Sequence, residues 1–379
     1  METIKFFIRK IDYSLLIVTV IIGTISVVMI DSITQSYSNY PSQVRVQIIG
    51  FVLGFVLMIG AIIIDTENLK RFFWYIYALC YIIQVLVFVP GLGEEAFGSR
   101  AWIKLGFTTL QPSEFVKILF IISLAAFLEY QKEKLFSLSG FLKICVFAMP
   151  LIGLVAVIDT GTGIVFLAIF IGMVFAAGIK ANLFARLAIA FVVAMPIMYR
   201  FLAEHQKDRF RAFLDPDNTA IEATHHLRQS KIAIGSGGFW GKGLGNGTIK
   251  ESGLLPVQES DFIFAIINEE LGIAGGMGVI LLYAFFLFRI WRTVTLARDV
   301  YSALICVGFL CMFAFQIFEN IGMTLGIMPI TGITLPFMSA GGTSIMVNMI
   351  SLGLILGIGT RNKLSTYKNI DAGPLYEHR

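Results

Sequence analysis

The chain has 379 residues, of which 57% are hydrophobic and 14% charged, and its formal net charge is +4. Soluble globular domains carry about 25% charged residues. This composition therefore excludes a soluble enzyme, a disordered chain and a nucleic-acid-binding protein. The four cysteines lie in apolar stretches without metal-ligand spacing, which predicts neither a disulfide framework nor a zinc site.

Apolar stretches long enough to cross a bilayer recur along the chain. A bilayer core of about 30 Å needs about 20 apolar residues in a helix. We expect an all-α integral membrane protein with about ten transmembrane helices, forming a single polytopic domain over residues 1–379. The expected spans are 13–30, 48–64, 72–90, 115–130, 141–158, 163–179, 183–202, 262–290, 302–328 and 344–359.

The positions of lysine and arginine predict the orientation of these spans. Seventeen of the 29 basic residues fall in segments on the same side as the N-terminus, and three fall in short loops on the opposite side. Short cytoplasmic loops are the ones that carry an excess of Lys and Arg. We therefore expect both termini in the cytoplasm, and a large extracytoplasmic loop, 203–260, between helices 7 and 8.

Two polar clusters lie near the starts of expected spans on the outer side. Arg100 and Trp102 precede Glu114 and Lys117, which are three residues apart and share a helix face. A local ion pair at a helix start explains this pair equally well. Asp159 lies between spans five and six, where a helix cap is the more common role for an acid.

The long loop carries a third cluster of basic and polar residues next to a glycine-rich run. Arginine binds phosphate in a bidentate manner, and glycine lets backbone amides approach an anion. The spacing matches neither a P-loop nor a dinucleotide fingerprint, and a flexible polar loop is the alternative interpretation. The cluster consists of Arg209, Arg211, Gln229, Ser230 and, within the glycine-rich run 235–245, Lys242.

Acids within the eighth span form a fourth cluster. Asp261 opens this span, and Glu269 and Glu270 follow about 12–14 Å further along the helix. Because a charge at bilayer depth costs at least about 2.5–3.5 kcal/mol, these two acids need an internal partner or a water-filled cavity.

A fifth cluster joins the end of span nine to an irregular segment. Gln316, Glu319 and Asn320 precede 329–342, whose prolines and glycines prevent a regular spanning helix. Irregular backbone at this depth must be buried in protein or line a cavity, although a plain outer loop is the alternative. The candidate ligand-binding residues here are Asn320, Thr331, Ser339 and Gly341.

The five clusters converge on the outer side of the predicted topology. Together they predict a polar cavity that is open to the outer leaflet and contains both acids and cations. Cations with glycines suit a phosphate-bearing ligand, and a lone acid suits a general base.

Long strings that contain these residues resemble the SEDS family (shape, elongation, division and sporulation), which includes RodA and FtsW. The Phe-Leu-Asp-Pro string and the chain length favour the RodA branch, and a sporulation paralogue stays open. The strings are SRAWIKLG, LQPSEFVKI, RFRAFLDP, RQSKIAIGSGGFWGKGLGNGT, DFIFAIINEELG and NIGMTLGIMPITGITLPFMSAGGTS.

The resemblance implies an enzyme of the bacterial cytoplasmic (inner) membrane. It implies a peptidoglycan glycosyltransferase that polymerises lipid II into glycan strands at the outer leaflet, for cell-wall elongation and cell shape. It also implies a class b penicillin-binding protein as the partner that crosslinks these strands. A divalent cation, Mg²⁺ or Mn²⁺, could assist the pyrophosphate, but no ligand cluster identifies a metal site.

The resemblance also assigns roles to residues. Asp261 matches the essential aspartate of the family, and we predict that it is the general base. Residues expected to bind substrate are Arg100, Trp102, Glu114, Lys117, Asp159, Arg209, Arg211, Gln229, Ser230, Lys242, Glu270, Asn320, Thr331, Ser339 and Gly341.

Two other functions compete with polymerisation. A flippase that carries lipid II across the membrane would also use intramembrane acids. However, the polar residues cluster at the outer side, and the inverted repeat of many carriers is missing from the sequence. A scaffold that only recruits partners would leave Asp261 and the acids of span eight without a role.

Overall fold

A computed structural model describes residues 10–35, 42–96, 99–104, 109–132, 137–180, 204–218, 222–248 and 257–371, together with a few isolated positions at 182–200 and 255. These residues form twelve α-helices and one small sheet. The helices are α1 (Tyr13–Thr34), α2 (Ser42–Ile63), α3 (Thr66–Lys70), α4 (Phe73–Val85), α5 (Pro112–Tyr130), α6 (Leu138–Ile158), α7 (Thr160–Ala176), α8 (Glu204–Leu214), α9 (Glu222–Ser236), α10 (Ile263–Thr295), α11 (Val300–Leu325) and α12 (Gly342–Asp371).

The described helices confirm an all-α multi-pass membrane fold. Nine of the ten expected spans coincide with helices, and the expected span 183–202 lies largely outside the described residues. Among the described residues, six helices are long and apolar enough to cross a bilayer, namely α1, α2, α6, α10, α11 and α12. Two shorter apolar helices are Phe73–Phe88 and Thr160–Ala176.

Capping residues set where several helices begin. The carboxylate of Asp12 accepts a hydrogen bond from the amide of Leu15, and Asp299 caps α11 through the amide of Ser302. Pro112 occupies the first turn of α5, where its missing N–H costs nothing. Short polar residues placed directly before apolar runs therefore define these helix starts.

A three-stranded antiparallel sheet lies between α4 and α5. Its strands are β1 (Gly93–Ala96), β2 (Ser99–Lys104) and β3 (Thr109–Leu110), in the order β1-β2-β3. Trp102 of β2 pairs with Glu94 of β1, and Ile103 pairs with Leu110 of β3. The sheet brings Ala101 and Trp102 to the cavity described below.

Glycines allow α2 and α12 to pack closely along their length. A Cβ at Gly54 would lie 2.9 Å from the side chain of Met349, and a Cβ at Gly353 would lie 2.5 Å from the carbonyl oxygen of Met58. Small residues at such positions are the usual means by which membrane helices approach each other. This contact holds the start of α12 against α2.

Helix α10 is broken at Gly272, which adopts φ 71 and ψ −175. The glycine-rich segment 237–248, hereafter the inserted loop, occupies this break. The amides of Ile273 and Ala274 donate to the carbonyl oxygens of Gly238 and Phe239, at 2.9 and 3.1 Å. The amides of Lys242 and Gly243 donate in turn to the carbonyl oxygens of Glu269 and Glu270.

The inserted loop therefore packs beside a spanning helix and does not project beyond its end. Glu269 and Ile273 lie six and ten residues after Ile263, which corresponds to about 9–15 Å along the helix. The inserted loop belongs to the segment 203–260, which the sequence predicts to be an extracytoplasmic loop. Phe239, Trp240 and Leu244 of the inserted loop have exposed side chains.

We predict that Gly272→Ala destabilises the protein by more than about 1 kcal/mol. A Cβ at Gly272 would lie 2.3 Å from the carbonyl oxygen of Phe239, and its φ of +71 is unfavourable for alanine. The matched control is Gly278→Ala in the same helix, where no atom lies within 4 Å of the new Cβ. Thermal unfolding in detergent should show a large decrease in melting temperature for Gly272→Ala only. Equal melting temperatures would contradict the docking of the inserted loop.

Candidate functional site

One end of the helix bundle contains a cavity of about 790 Å³. We call this end the cavity end. Six of the sequence-predicted site residues line the cavity: Trp102, Asp159, Arg209, Asp261, Thr331 and Gly341. Further lining residues are Gln43, Gln47, Gln111, Gln206, Asp208, Glu222, His226, Glu259, Ser260, Gly332, Thr334, Thr343 and Ser344.

The lining residues come from alternate connections between spans. They lie at the start of α2, in β2 and the start of α5, between α6 and α7, in α8 and α9, before α10, and between α11 and α12. Successive spans cross the bilayer in opposite directions, so alternate connections lie on the same side. This explains why residues far apart in sequence meet at one end.

Asp261 lies in a tight turn whose backbone is held by three hydrogen bonds. Its amide donates to the carbonyl oxygen of Val257, which has a φ of 50 that β-branched residues rarely adopt. Nδ2 of Asn320 donates to the carbonyl oxygen of Asp261 at 3.1 Å. Oγ of Ser339 donates to the carbonyl oxygen of Ser260 at 2.6 Å. Asn320 and Ser339 therefore support the site from behind the cavity wall.

The electrostatic environment of Asp261 favours a carboxylate that can accept a proton. Burial raises the pKa of Asp261 to about 6, while a hydrogen bond from Ser260 and the positive charge of Arg209 lower it. A Cβ at Gly332 would lie 3.3 Å from Oδ2 of Asp261 and 3.5 Å from Nη1 of Arg209. Within the described ranges Asp261 has no ion-pair partner, so no cation suppresses its basicity by direct contact.

Asp159 combines a capping role with a place at the cavity wall. Its Oδ1 accepts the amides of Gly161 and Thr162 at the start of α7, as the capping interpretation predicts. Its Oδ2 accepts hydrogen bonds from the hydroxyl of Thr162 at 2.6 Å and from Nε2 of Gln111 at 3.2 Å. The carboxylate is thus held by four donors while it faces the cavity.

Arg209 projects from α8 towards the segment 329–334. Its Nη1 donates to the carbonyl oxygen of Thr331 at 3.0 Å. A Cβ at Gly161 would lie 2.6 Å from the same oxygen, so α7 also packs directly against Thr331. Arg209 is therefore positioned at the junction of three chain segments.

The described lining of the cavity carries more negative than positive charge. Its carboxylates belong to Asp159, Asp208, Glu222, Glu259 and Asp261, and its one guanidinium belongs to Arg209. Nevertheless, no three Asp, Glu, His or Cys side chains within the described segments come together as a metal site. A divalent cation that assists the pyrophosphate stays a prediction.

Sequence reasoning missed some lining residues, among them His226 and Gln47. Burial is the main cause that lowers the pKa of His226, and the charge of His225 lowers it further. Nε2 of His226 lies 3.6 Å from Glu222. Gln47 accepts the amide of Gly341 at 3.2 Å and donates to Ser26 at 2.8 Å. The spacing of four residues between Gln43 and Gln47 was the signal that could have revealed a polar face.

Several expected binding residues lie away from the cavity lining. Nζ of Lys117 pairs with Oε1 of Glu114 at 2.7 Å, and both side chains are buried in α5. Ser230 donates to the carbonyl oxygen of Thr324, which attaches α9 to α11. Arg211 forms exposed ion pairs with Glu204 and Asp208.

The remaining expected binding residues are placed as follows. Gln229 contacts His225 on α9 at 3.4 Å. Arg100 belongs to β2, but its side chain lies outside the described part of the structure. The substrate-binding roles of all these residues stay predictions.

Lys242 and Glu270 instead attach the inserted loop to the bundle. Nζ of Lys242 contacts Oε1 of Glu269 at 2.7 Å, and Thr248 donates to the same oxygen through its amide at 2.8 Å. Both oxygens of Glu270 accept from the hydroxyl of Ser32, which itself accepts the amide of Gly245. These are the internal partners that the acids of span eight require.

Comparisons with known proteins agree with this architecture. Residues 10–364 match the model of the FTSW_RODA_SPOVE family of cell cycle proteins. The chain belongs to this family. That result confirms the resemblance to the SEDS family, whereas the assignment to the RodA branch is not decided by it.

Curated relatives and solved structures cover most of the chain. Stage V sporulation protein E of Bacillus subtilis is 33% identical, over 92% of this chain and 96% of the relative. A probable peptidoglycan glycosyltransferase FtsW of Coxiella burnetii is 35% identical, over 81% of this chain and 83% of the relative.

Among solved structures, a chain from a peptidoglycan synthase complex aligns with a TM-score of 0.79 at 25% identity, covering 93% of this chain and 98% of that one. Thermus thermophilus RodA aligns with a TM-score of 0.67 at 24% identity, over 92% and 96% of the two chains. The fold of this protein is thus the multi-pass fold seen in RodA.

We predict that Lys242→Met destabilises the protein strongly because it removes the cation from the fully buried carboxylate of Glu269. Breaking a buried ion pair costs about 3–5 kcal/mol, and the lower end is expected because Thr248 still donates to Glu269. The matched control is Lys207→Met, whose partner Glu204 is 70% exposed. The control should cost about 0–1 kcal/mol. Thermal unfolding in detergent measures the stability of both variants. A small decrease in melting temperature that is similar in the two variants would argue against the structural role of Lys242.

Proposed function

We propose that this protein polymerises lipid II at the outer face of the bacterial cytoplasmic membrane, with Asp261 as the general base. The observation that carries the proposal is the carboxylate of Asp261, which lies at the cavity wall near Arg209 without an ion-pair partner in the described residues. Peptidoglycan glycosyltransferase activity follows from the family, whose curated members include proteins named for it.

The proposed chemistry is a displacement at the anomeric carbon of the lipid-linked donor sugar. Asp261 accepts the proton of the acceptor hydroxyl as that oxygen forms the new glycosidic bond. The bond to the pyrophosphate then breaks, and the lipid pyrophosphate leaves with the electron pair. Arg209 is placed to stabilise its negative charge. Attack opposite the leaving group inverts the anomeric centre.

A raised carboxyl pKa suits this role. A general base is most effective when its pKa is close to the operating pH, and enzymes reach that range by burying carboxylates. Burial gives Asp261 a pKa of about 6, so the carboxylate form predominates at pH 7. The exposed acids of α8 differ from Asp261 in both respects. Asp208, for example, is exposed and forms an ion pair with Arg211.

Two finer features belong to the proposal. Rod elongation and cell shape are favoured by the Phe-Leu-Asp-Pro string, although relatives at similar identity are named for FtsW and sporulation. A class b penicillin-binding protein is the proposed partner, in keeping with the similarity to a chain from a peptidoglycan synthase complex.

We place the contact with the partner's membrane helix on α10, where Gly275, Gly276 and Gly278 are small enough to let another helix approach. The Cβ position of Gly276 lies 2.2 Å from Oδ1 of Asn268, whereas the Cβ position of Gly278 is open. Of these two, Gly278 therefore offers room for a partner helix and Gly276 does not.

Asp261→Asn should fold and bind lipid II but lose about 10²–10⁴-fold in polymerisation rate, because the amide cannot accept the proton. The assay uses purified protein with labelled lipid II, with and without a penicillin-binding partner, and is read for polymer. A flippase would instead translocate lipid II without forming polymer. Wild-type polymer yield from the variant would exclude Asp261 as the base.

The pH profile of the wild-type enzyme checks the same assignment. Because the base must be deprotonated, kcat/KM should rise with pH through an acid limb near pH 6. The charge of Arg209 lowers the pKa of Asp261 and that of Glu259 raises it. Arg209→Gln should therefore move the limb to higher pH, and Glu259→Gln should move it to lower pH. If the acid limb of the pH profile moves in neither variant, it reports the ionisation of a group other than Asp261.

The proposed orientation places the cavity end outside and both termini in the cytoplasm. The charge bias of seventeen basic residues against three supports it. A cysteine introduced at His225 should react with an impermeant reagent from outside, and one at Arg292 should react only after permeabilisation. The opposite pattern would place the cavity in the cytoplasm and exclude chemistry at the outer leaflet.

A further inference from the structure

A buried acid beneath the cavity, Glu319 of α11, has no role in the chemistry proposed above. Glu319 is 1% exposed to solvent. Its Oε1 accepts a hydrogen bond from Oγ1 of Thr331 at 2.9 Å, and Thr331 lines the cavity. Among the described residues, Oε2 of Glu319 has no hydrogen-bond partner. An acid retained at this depth calls for an explanation beyond packing.

The backbone of Thr331 is fixed without help from Glu319. Its carbonyl oxygen accepts from Arg209 at 3.0 Å, and Gly161 packs against that oxygen. The next turn of the segment is fixed by Asn320, whose Nδ2 donates to the carbonyl oxygen of Ile333 at 2.8 Å. What Glu319 adds is control of the Thr331 side chain, which it holds in one rotamer.

The hydroxyl of threonine has one proton and two lone pairs. In Thr331 the proton is directed to the carboxylate of Glu319. The hydroxyl can therefore present only lone pairs to a ligand in the cavity. It can accept a hydrogen bond from a ligand hydroxyl or amide N–H, but it cannot donate to a phosphate or carbonyl oxygen.

We propose that Glu319 is a positioning residue that makes Thr331 an obligatory hydrogen-bond acceptor and thereby selects the sugar part of the substrate. Hydroxyl and acetamido N–H groups are the donors that such an acceptor recognises. A pyrophosphate supplies oxygen acceptors and is excluded from this position. The inference rests on the proposed function, because it assumes that the cavity binds a lipid-linked sugar.

Without Glu319 the hydroxyl of Thr331 is free to rotate and to donate elsewhere. The contacts of Arg209 and Asn320 with the segment do not involve the Glu319 carboxylate, so the segment should keep its path. Glu319→Leu should therefore weaken substrate binding while leaving the base and the folded structure intact. Glu319→Gln keeps an oxygen acceptor of the same shape and should restore binding.

The test measures the Kd of lipid II in nanodiscs and, separately, KM and kcat for polymerisation. Glu319→Leu and Thr331→Val should each raise Kd and KM about tenfold with little change in kcat, because each removes one hydrogen-bond partner. The double variant should be no weaker than Thr331→Val alone. The matched control is Gln316→Leu, one turn earlier on α11 and equally buried at 1%, which should leave Kd unchanged.

The outcomes separate this inference from the proposed function. An unchanged Kd in Glu319→Leu, or additive effects in the double variant, would overturn the positioning role. A loss of binding in Glu319→Gln as large as in Glu319→Leu would also overturn it. If the wild-type protein binds lipid II but forms no polymer, the proposed function fails. The ratio of the Kd of Glu319→Leu to the Kd of the wild-type protein still decides the role of Glu319.

Discussion

Irregular backbone inside an apolar bundle must find its hydrogen bonds within the protein, and this requirement organises the cavity end. Two segments without regular helix lie there, the turn at 257–261 and the segment 329–334. Asn320 serves both, since its Nδ2 donates to the carbonyl oxygens of Asp261 and Ile333. One amide on one helix thus fixes the backbone of the candidate base beside the segment 329–334.

The same requirement explains the acids of α10. The break at Gly272 leaves backbone groups that the inserted loop satisfies, and the side chains of Glu269 and Glu270 hold that loop through Lys242 and Ser32. These acids therefore stabilise a backbone arrangement, whereas Asp261, eight residues before Glu269 in the cavity-end turn, is left able to react. Chemically similar side chains acquire different roles because their partners differ.

Sequence patterns predicted the spans well because hydropathy over about 20 residues dominates membrane partitioning. They also placed Asp261, Asp159 and Thr331 on one side, since alternate connections share a side. They could not separate Lys242 and Glu270 from the cavity, because the break in α10 depends on a glycine conformation and a loop contact that no periodicity encodes. His226 was missed because the pair His225 and His226 on a polar helix gives no signal of which histidine faces a cavity.

The inserted loop has a consequence for biogenesis. It is too short and too rich in glycine to enter a bilayer as an independent span, and Lys242 within it would oppose entry. Its binding site on α10 is made of residues 268–274, which the ribosome produces later. The loop can therefore dock on α10 only after residues 268–274 have been synthesised. The order of assembly is set by the chain itself: the partner helix enters first, and the loop that completes it follows.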